Sequence, residues 1–406
     1  MSPAAPDRQV TSSSGRGGAP AEGAGRAPPA PIAATGSEPV VPWHPQAYEG
    51  RLARYLGAAY LLVIAYASLS PFGGWSSPGT SAFAFLAEGW PRYVSKFDLA
   101  INLLAYLPLG LLLTLGLLRW LPAWAAALSG TLLCLLASTG LETAQMYLPG
   151  RVASTLDIAF NAAGGALGAL LAARTGRLPL WARIARARDR CCLPAAVSEP
   201  GLALVGLWFL TQLDPSTPLL AVLPLPAAAP IPGTGFVPPR DFSEQAAALV
   251  GINTLAASAF VMTLMRRRWH ALVAMCMLVA GAAAIKLLAA LAMLKPDVLL
   301  IWTGPEVAVG LAAGMLLAAG LLGLRRRGVL TVGIVALLGS FVALHLLDDP
   351  RTPVLPLWPF QWNYGQLLNY TGLARTVAEV WPLAAAGFLY ALRRRLRGSA
   401  AAPRPL

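Results

Sequence analysis

Long apolar runs alternate with short polar interruptions along most of this chain. Ten runs approach the roughly 20 residues that an α-helix needs to cross a bilayer. They fall at residues 52–70, 97–118, 121–146, 155–173, 202–222, 245–265, 271–294, 298–322, 329–347 and 372–392. The fifth is interrupted by Asp214-Pro215. Residues 1–45 are rich in Ala, Pro, Gly and Ser without apolar periodicity, which predicts a disordered N-terminal tail rather than a cleavable leader. The predicted fold class is all-α, a polytopic transmembrane helix bundle of about ten spans.

Composition agrees with the pattern. Hydrophobic residues make up 56% of the 406 positions and charged residues only 12%, against about 25% charged in a soluble domain. The net charge of +13 comes almost entirely from arginine. Those arginines sit in short clusters after alternate spans, not in the aromatic-interleaved patches of a nucleic-acid surface. We therefore expect no nucleic-acid partner. Counting ten spans with the N-terminus inside puts every cluster on the cytoplasmic side, as the positive-inside rule requires. The expectation is an inner-membrane protein with both termini cytoplasmic and membrane lipids around it. Trp358, Trp362, Tyr364 and Tyr370 fit either interfacial anchors or exposed loop aromatics. Among the four cysteines no metal or disulfide spacing occurs.

The chain also resembles itself. Segments 66–72 and 210–218, 99–105 and 249–256, and 164–168 and 310–314 recur in order at offsets of roughly 144–151 residues. This predicts a tandem four-helix repeat, with chance similarity between Ala/Leu-rich halves as the alternative.

Polar residues inside the runs are costly, by about 2.5–3.5 kcal/mol for a charge at mid-helix. They concentrate between Ser138 and Gly168 and at the start of the second run. Helical spacing puts Asp98 with Asn102, Ser138 with Glu142 and Gln145, and Asp157 with Asn161, Gly164 and Gly168. The predicted topology brings these groups to one depth in the outer leaflet, with Lys96 and Arg151 just above. Gly164 and Gly168 predict close helix packing. The acids and amides fit a functional pocket or a closed structural network, in which Glu142 pairs with Lys96 or Arg151 and Asp157 caps its helix. A pocket would offer oxygen ligands for a divalent cation, a phosphate or carboxylate cradle on Lys96 and Arg151, or a general base at Glu142. The metal and any cofactor stay unassigned. Lys286 would pair with Glu306 or snorkel, and Glu379 and His345 look isolated.

These residues resemble the VanZ-like family: YxSLxPF at Tyr66–Phe72, KxDxxxN from Lys96 to Asn102, YLPLG from Tyr106 to Gly110, SxxxExxQ from Ser138 to Gln145, PGR at Pro149–Arg151, and DxxxNxxGGxxG from Asp157 to Gly168. The resemblance implies a four-helix unit at residues 51–174; the residue pattern adds a basic connection at 175–200 and additional helices at 201–397. The resemblance also implies functional positions at Lys96, Asp98, Asn102, Glu142, Gln145, Arg151, Asp157 and Asn161; from their chemistry we expect Glu142 and Asp157 to be catalytic and the other six to bind. The family takes its name from a protein linked to teicoplanin resistance. The expected role is binding or acting on an anionic lipid or cell-envelope precursor, with an effect on glycopeptide susceptibility. A transporter or flippase on parallel repeats, or a structural partner-binding protein, is the alternative.

Overall fold

A computed structural model describes residues 51–70, 72–87, 96–176, 178–221, 242–347, 360–361 and 365–401. The side chains of residues 96–98, 365–371 and 397–401 lie outside that description. So do the N-terminal tail, the proline-rich connections at 224–239 and 350–359, and the side chains of Trp358, Trp362, Tyr364 and Tyr370.

The described residues form eleven α-helices and no strand. The first half comprises α1 (Arg51–Leu69), α2 (Lys96–Leu117), α3 (Ala123–Gln145) and α4 (Thr155–Thr175). A short helix, α5 (Pro179–Cys191), follows. The second half comprises α6 (Ala195–Phe209), α7 (Glu244–Leu264), α8 (Arg268–Met293), α9 (Pro305–Leu321), α10 (Arg326–Leu347) and α11 (Gly365–Ala401). Among the described residues, eight helices are long and apolar enough to cross a membrane. Every predicted run falls on a helix, but two fall outside those eight. The eighth run does not begin at residue 298. A 3-10 turn occupies Pro296–Val298, and α9 starts only at Pro305, so it has 17 residues. Proline at a first helical position is preorganised for the start and needs no donor there. The tenth run lies within α11, which carries Arg375, Glu379 and Arg393–Arg395.

Local chemistry sets the other boundaries. Ser154 and Ser243 cap α4 and α7, each accepting backbone N–H groups of the first turn. The fifth run starts earlier than expected, at Ala195, and tightens into a 3-10 turn at Leu210–Leu213 before Asp214-Pro215. The basic connection is itself helical. In α5, Leu180 and Ile184 are exposed among arginines at 183, 186, 188 and 190.

The tightest helix pair of each half is built the same way. α2 and α4 run parallel in backbone contact, with Gly164 against the Leu103 carbonyl and Gly168 against the Leu107 carbonyl. α7 and α9 repeat this, with Gly310 against the Ala247 carbonyl and Gly314 against the Gly251 carbonyl. Without side-chain bulk the helices approach closely enough for extensive van der Waals contact, the main attraction available between apolar helices in lipid. α3 lies antiparallel to α4, with Cys134 at Gly165 and Ser138 at Asn161.

Contacts between helix ends gather Arg51, Arg54, Arg188, Arg266 and Arg326 at one end of the bundle. Arg54 of α1 donates to the Gly116 carbonyl of α2 at 3.4 Å. Arg51 lies 3.9 Å from Glu199 of α6, which also binds Arg188 of α5. The Arg266 amide donates to the Cys191 carbonyl at 2.8 Å, and Arg326 donates to the Met265 carbonyl.

Two expectations about isolated charges change. Lys286 neither snorkels nor forms an ion pair with Glu306. It is fully buried and donates to the Thr217 carbonyl (2.8 Å), the Thr217 hydroxyl (2.9 Å) and the Pro218 carbonyl (3.1 Å). The irregular chain after Asp214-Pro215 exposes those carbonyls, and a buried ammonium satisfies them. Glu379 is not isolated, since Arg375 one turn earlier lies 3.3 Å away. His345 Nδ1 lies 2.9 Å from the Phe341 carbonyl oxygen.

Candidate functional site

The two helix registers bring the predicted polar residues to one level. The antiparallel pairing of Ser138 with Asn161 puts Glu142 level with Asp157, one helical turn further along each helix. The parallel pairing of Leu103 with Gly164, extended by seven residues, puts the backbone of Lys96 level with Asp157 as well. Asp98 and Asn102 follow on α2. The side chains of Lys96 and Asp98 lie outside the described residues.

The link between α3 and α4 aims two more groups. Leu148-Pro149-Gly150-Arg151 closes as a turn, with the Arg151 amide donating to the Leu148 carbonyl at 3.1 Å. Gly150 has φ +87°, a conformation suited to glycine at the third position of a type II turn after proline. Arg151 emerges from this turn and its Nη2 donates to the Ser70 carbonyl at 2.6 Å, just past the end of α1. Helix ends carry unsatisfied carbonyls and partial negative charge, so a cation is favoured there. Gln145 Nε2 donates to the Ser68 carbonyl of α1 at 3.1 Å. The loop after α1 lies across this link: the Ser76 amide donates to the Tyr147 carbonyl at 2.9 Å, and Gly74 sits against Pro149.

Glu142 is 5% exposed. Its Oε2 accepts from the Ser154 amide at 2.9 Å. Among the described residues it forms no ion pair, so the expected pairing with Arg151 is not made; Arg151 is drawn to α1 instead. Ser154 in turn accepts from the amides of Leu156 (3.2 Å) and Asp157 (3.4 Å). Asp157 is therefore a first-turn anion, and Ser154 is the cap. The serine was legible in the S-x-x-D spacing of a capping box.

Deeper in the bundle, Asn161 Nδ2 donates to the Ser138 hydroxyl at 2.9 Å, with both side chains buried. Among the described residues, Asn161 Oδ1 has no partner. The buried Tyr106 phenol lies beside Ser138, one helical turn beyond Asn102 on the same face of α2, a spacing visible in the sequence. Asn102 is half-buried and makes no side-chain hydrogen bond among the described residues. Asn161 thus bridges to α3 through Ser138. Below Asn161, Gly164 and Gly168 close the α2–α4 seam with backbone contact. A double-mutant cycle on Ser138→Ala and Asn161→Ala is expected to show a coupling of about 0.6–1.7 kcal/mol. Thermal unfolding in detergent measures it, and strictly additive effects would remove the interhelical bond from this account.

The second half has its own polar cluster. A cavity of ≈ 30 Å³ is lined by Thr211, Gln212, Asn253 and Ser340, among others. That is room for about one or two waters. Among the described residues, no group of three or more His, Cys, Asp or Glu gathers closely enough to hold a metal ion.

Residues 51–177 are similar to the family model described as VanZ/LLP1, which reaches three residues past the predicted unit of 51–174. No curated protein and no solved structure matches the chain. The matched segment runs from the first residue of α1 to just beyond α4 and contains the whole polar level around Glu142. The chain thus pairs a segment similar to VanZ/LLP1, about a third of its length, with eight helices long and apolar enough to cross a membrane among the described residues.

Proposed function

We propose that the polar level of α2–α4 is a site for an anionic cell-envelope component, opening toward the outer leaflet of the inner membrane. The observation that carries this reading is the set of unspent acceptors. Among the described residues, Glu142 is buried without an ion pair, Asn161 Oδ1 is buried without a partner, and Asn102 is half-buried without a side-chain bond, all at or within about two helical turns of one level. Closed structural networks leave few such groups, because each costs roughly 1–3 kcal/mol. Lys96 and the remaining donors of Arg151 would hold a phosphate or carboxylate. The free oxygen of Glu142 would accept from a ligand hydroxyl or ammonium, or act as a base with Asp157 beside it. An envelope precursor carries both anionic and hydroxyl groups, and altered handling of it would change glycopeptide susceptibility.

The test uses Glu142→Gln and Arg151→Ala in a glycopeptide-susceptibility assay, at matched membrane abundance. Glu142→Gln keeps an acceptor for the Ser154 amide, so the fold should survive. Both variants are expected to behave like the empty vector. If both behave like the unaltered protein, the site reading fails.

A structural reading has its own support, since Arg151 and Gln145 tie the end of α1. It predicts that Arg151→Ala lowers thermal stability while function per folded molecule is unchanged. The transporter reading needs a polar path through the bundle, and the closed glycine seam below Asn161 weighs against one between α2 and α4.

A further inference from the structure

At the arginine-rich end of the second half, a cavity of ≈ 340 Å³ opens between the ends of α7, α8, α9 and α10. Arg266, Arg267, Arg268, Arg325 and Arg326 line it. Topology signals explain why arginines occur at this end. They do not explain why five converge on one concave space. Among the described residues, no acidic side chain pairs with any of the five. Two are fixed by the fold: Arg266 Nε donates to the Cys192 carbonyl, and Arg326 Nη2 donates to the Met265 carbonyl. These bonds hold two guanidinium forks at the cavity while leaving other N–H donors unspent. Arg267, Arg268 and Arg325 are exposed and spend no side-chain donor within the described protein.

Five uncompensated cations around one space favour a compact multidentate anion, and a phosphate group matches the arginine fork. The surroundings choose the kind of phosphate. Leu322 and Leu324 share the cavity wall. Leu316, Leu317 and Trp269 are exposed on the neighbouring helices. Beside it, α5 presents Leu180 and Ile184 among its arginines, the composition of a helix lying in the head-group plane. The α5 end is tied to this site, with the Leu193 amide donating to the Leu264 carbonyl at 2.8 Å. A charged pocket bordered by exposed apolar surface fits a phosphodiester head group with its acyl chains alongside.

We infer that this cavity is a binding site for the head group of an anionic phospholipid, separate from the Glu142 level. The test uses the full chain purified in detergent, with bound lipid counted by native mass spectrometry and Tm followed on lipid addition. Phosphatidylglycerol is expected to be retained and to raise Tm, whereas phosphatidylcholine and inorganic phosphate do neither. The triple variant Arg267→Gln, Arg268→Gln, Arg325→Gln spares the two arginines that tie helix ends. It should weaken phosphatidylglycerol binding at least about tenfold. The charge-matched variant Arg393→Gln, Arg394→Gln, Arg395→Gln, outside the cavity, should bind like the unaltered chain. The conservative variant Arg267→Lys, Arg268→Lys, Arg325→Lys should retain part of the binding, which separates loss of the pocket's charge from loss of the fold. Equal weakening in the charge-matched variant, unchanged binding in the cavity variant, or equal stabilisation by inorganic phosphate would each overturn the assignment.

Discussion

Gly168→Val should leave little folded protein in the membrane. A β-carbon at Gly168 would collide with the Leu107 carbonyl oxygen and crowd the Leu111 amide. Overpacking that flexible side chains can absorb costs about 1–3 kcal/mol. Here the obstacle is the backbone of α2, so the two helices must separate, and the contact along the whole seam is lost. That cost is comparable with much of a typical protein's stability of about 5–15 kcal/mol. Gly140→Val on α3 is the control, because nothing stands within 4 Å of a β-carbon there. Membrane abundance and the midpoint of thermal aggregation in detergent should collapse for Gly168→Val and hold for Gly140→Val. Equal behaviour of the two variants would show that the α2–α4 contact is not what organises the first half.

Glu199→Ala should be the most damaging single change among the charged groups. Glu199 is 3% exposed, binds Arg188 of α5 and lies 3.9 Å from Arg51 of α1. It therefore joins the start of the segment similar to VanZ/LLP1 to the first helix of the second half. Breaking a buried ion pair from one side strands the other charge and costs about 3–5 kcal/mol. The lower end applies here, since Arg188 keeps Asp189 at 2.8 Å and Arg51 is about a third exposed. Replacing both partners, as in Glu199→Leu with Arg188→Met, should recover most of that loss, because no buried charge is left behind. Thermal unfolding of the two singles and the double closes the cycle. Additive losses would show that Glu199 and Arg188 do not act as a pair.

Much of the architecture is legible in the linear pattern because lipid imposes one demand at a time. A run of about 20 apolar residues must satisfy its own backbone, so it becomes a helix. The runs at 97–118 and 155–173 became α2 and α4 within about two residues. Errors arose where local turn chemistry overrides hydropathy. Residues 298–304 are apolar enough to extend a helix, yet Pro296 and Pro305 bracket a 3-10 turn and an extended Gly304. The stretch 175–200 reads as a charged linker, but Pro179 opens a helix whose apolar residues need an apolar boundary beside it.

The candidate site was legible as a set of residues and a depth, not as a set of bonds. Spacing along single helices put Asp157 with Asn161 and Ser138 with Glu142. Which helix each group answers depends on register between helices, and that depends on where backbones can touch. The glycines at 164 and 168 set the α2–α4 register, so Asn161 meets Ser138 rather than Asn102. The Pro149-Gly150 turn sets the direction of Arg151, so it meets the end of α1 rather than Glu142. Side-chain type alone allowed an acid–base pair as readily as an open pocket.

By itself, then, the sequence determined that this chain is an all-helical membrane bundle. It located the polar residues of the first half on three helices near one end, and it placed small residues where helices approach. Those properties follow from hydropathy and from periodicity within one helix. Only the tertiary structure decided that Arg151 meets the end of α1, that Lys286 is buried on carbonyls of the 214–218 chain, and that five arginines from two separate clusters surround one cavity. Each of these is a contact between segments far apart in the chain. Their pairing is set by backbone approach and turn geometry, quantities that no local pattern of apolar and polar residues encodes.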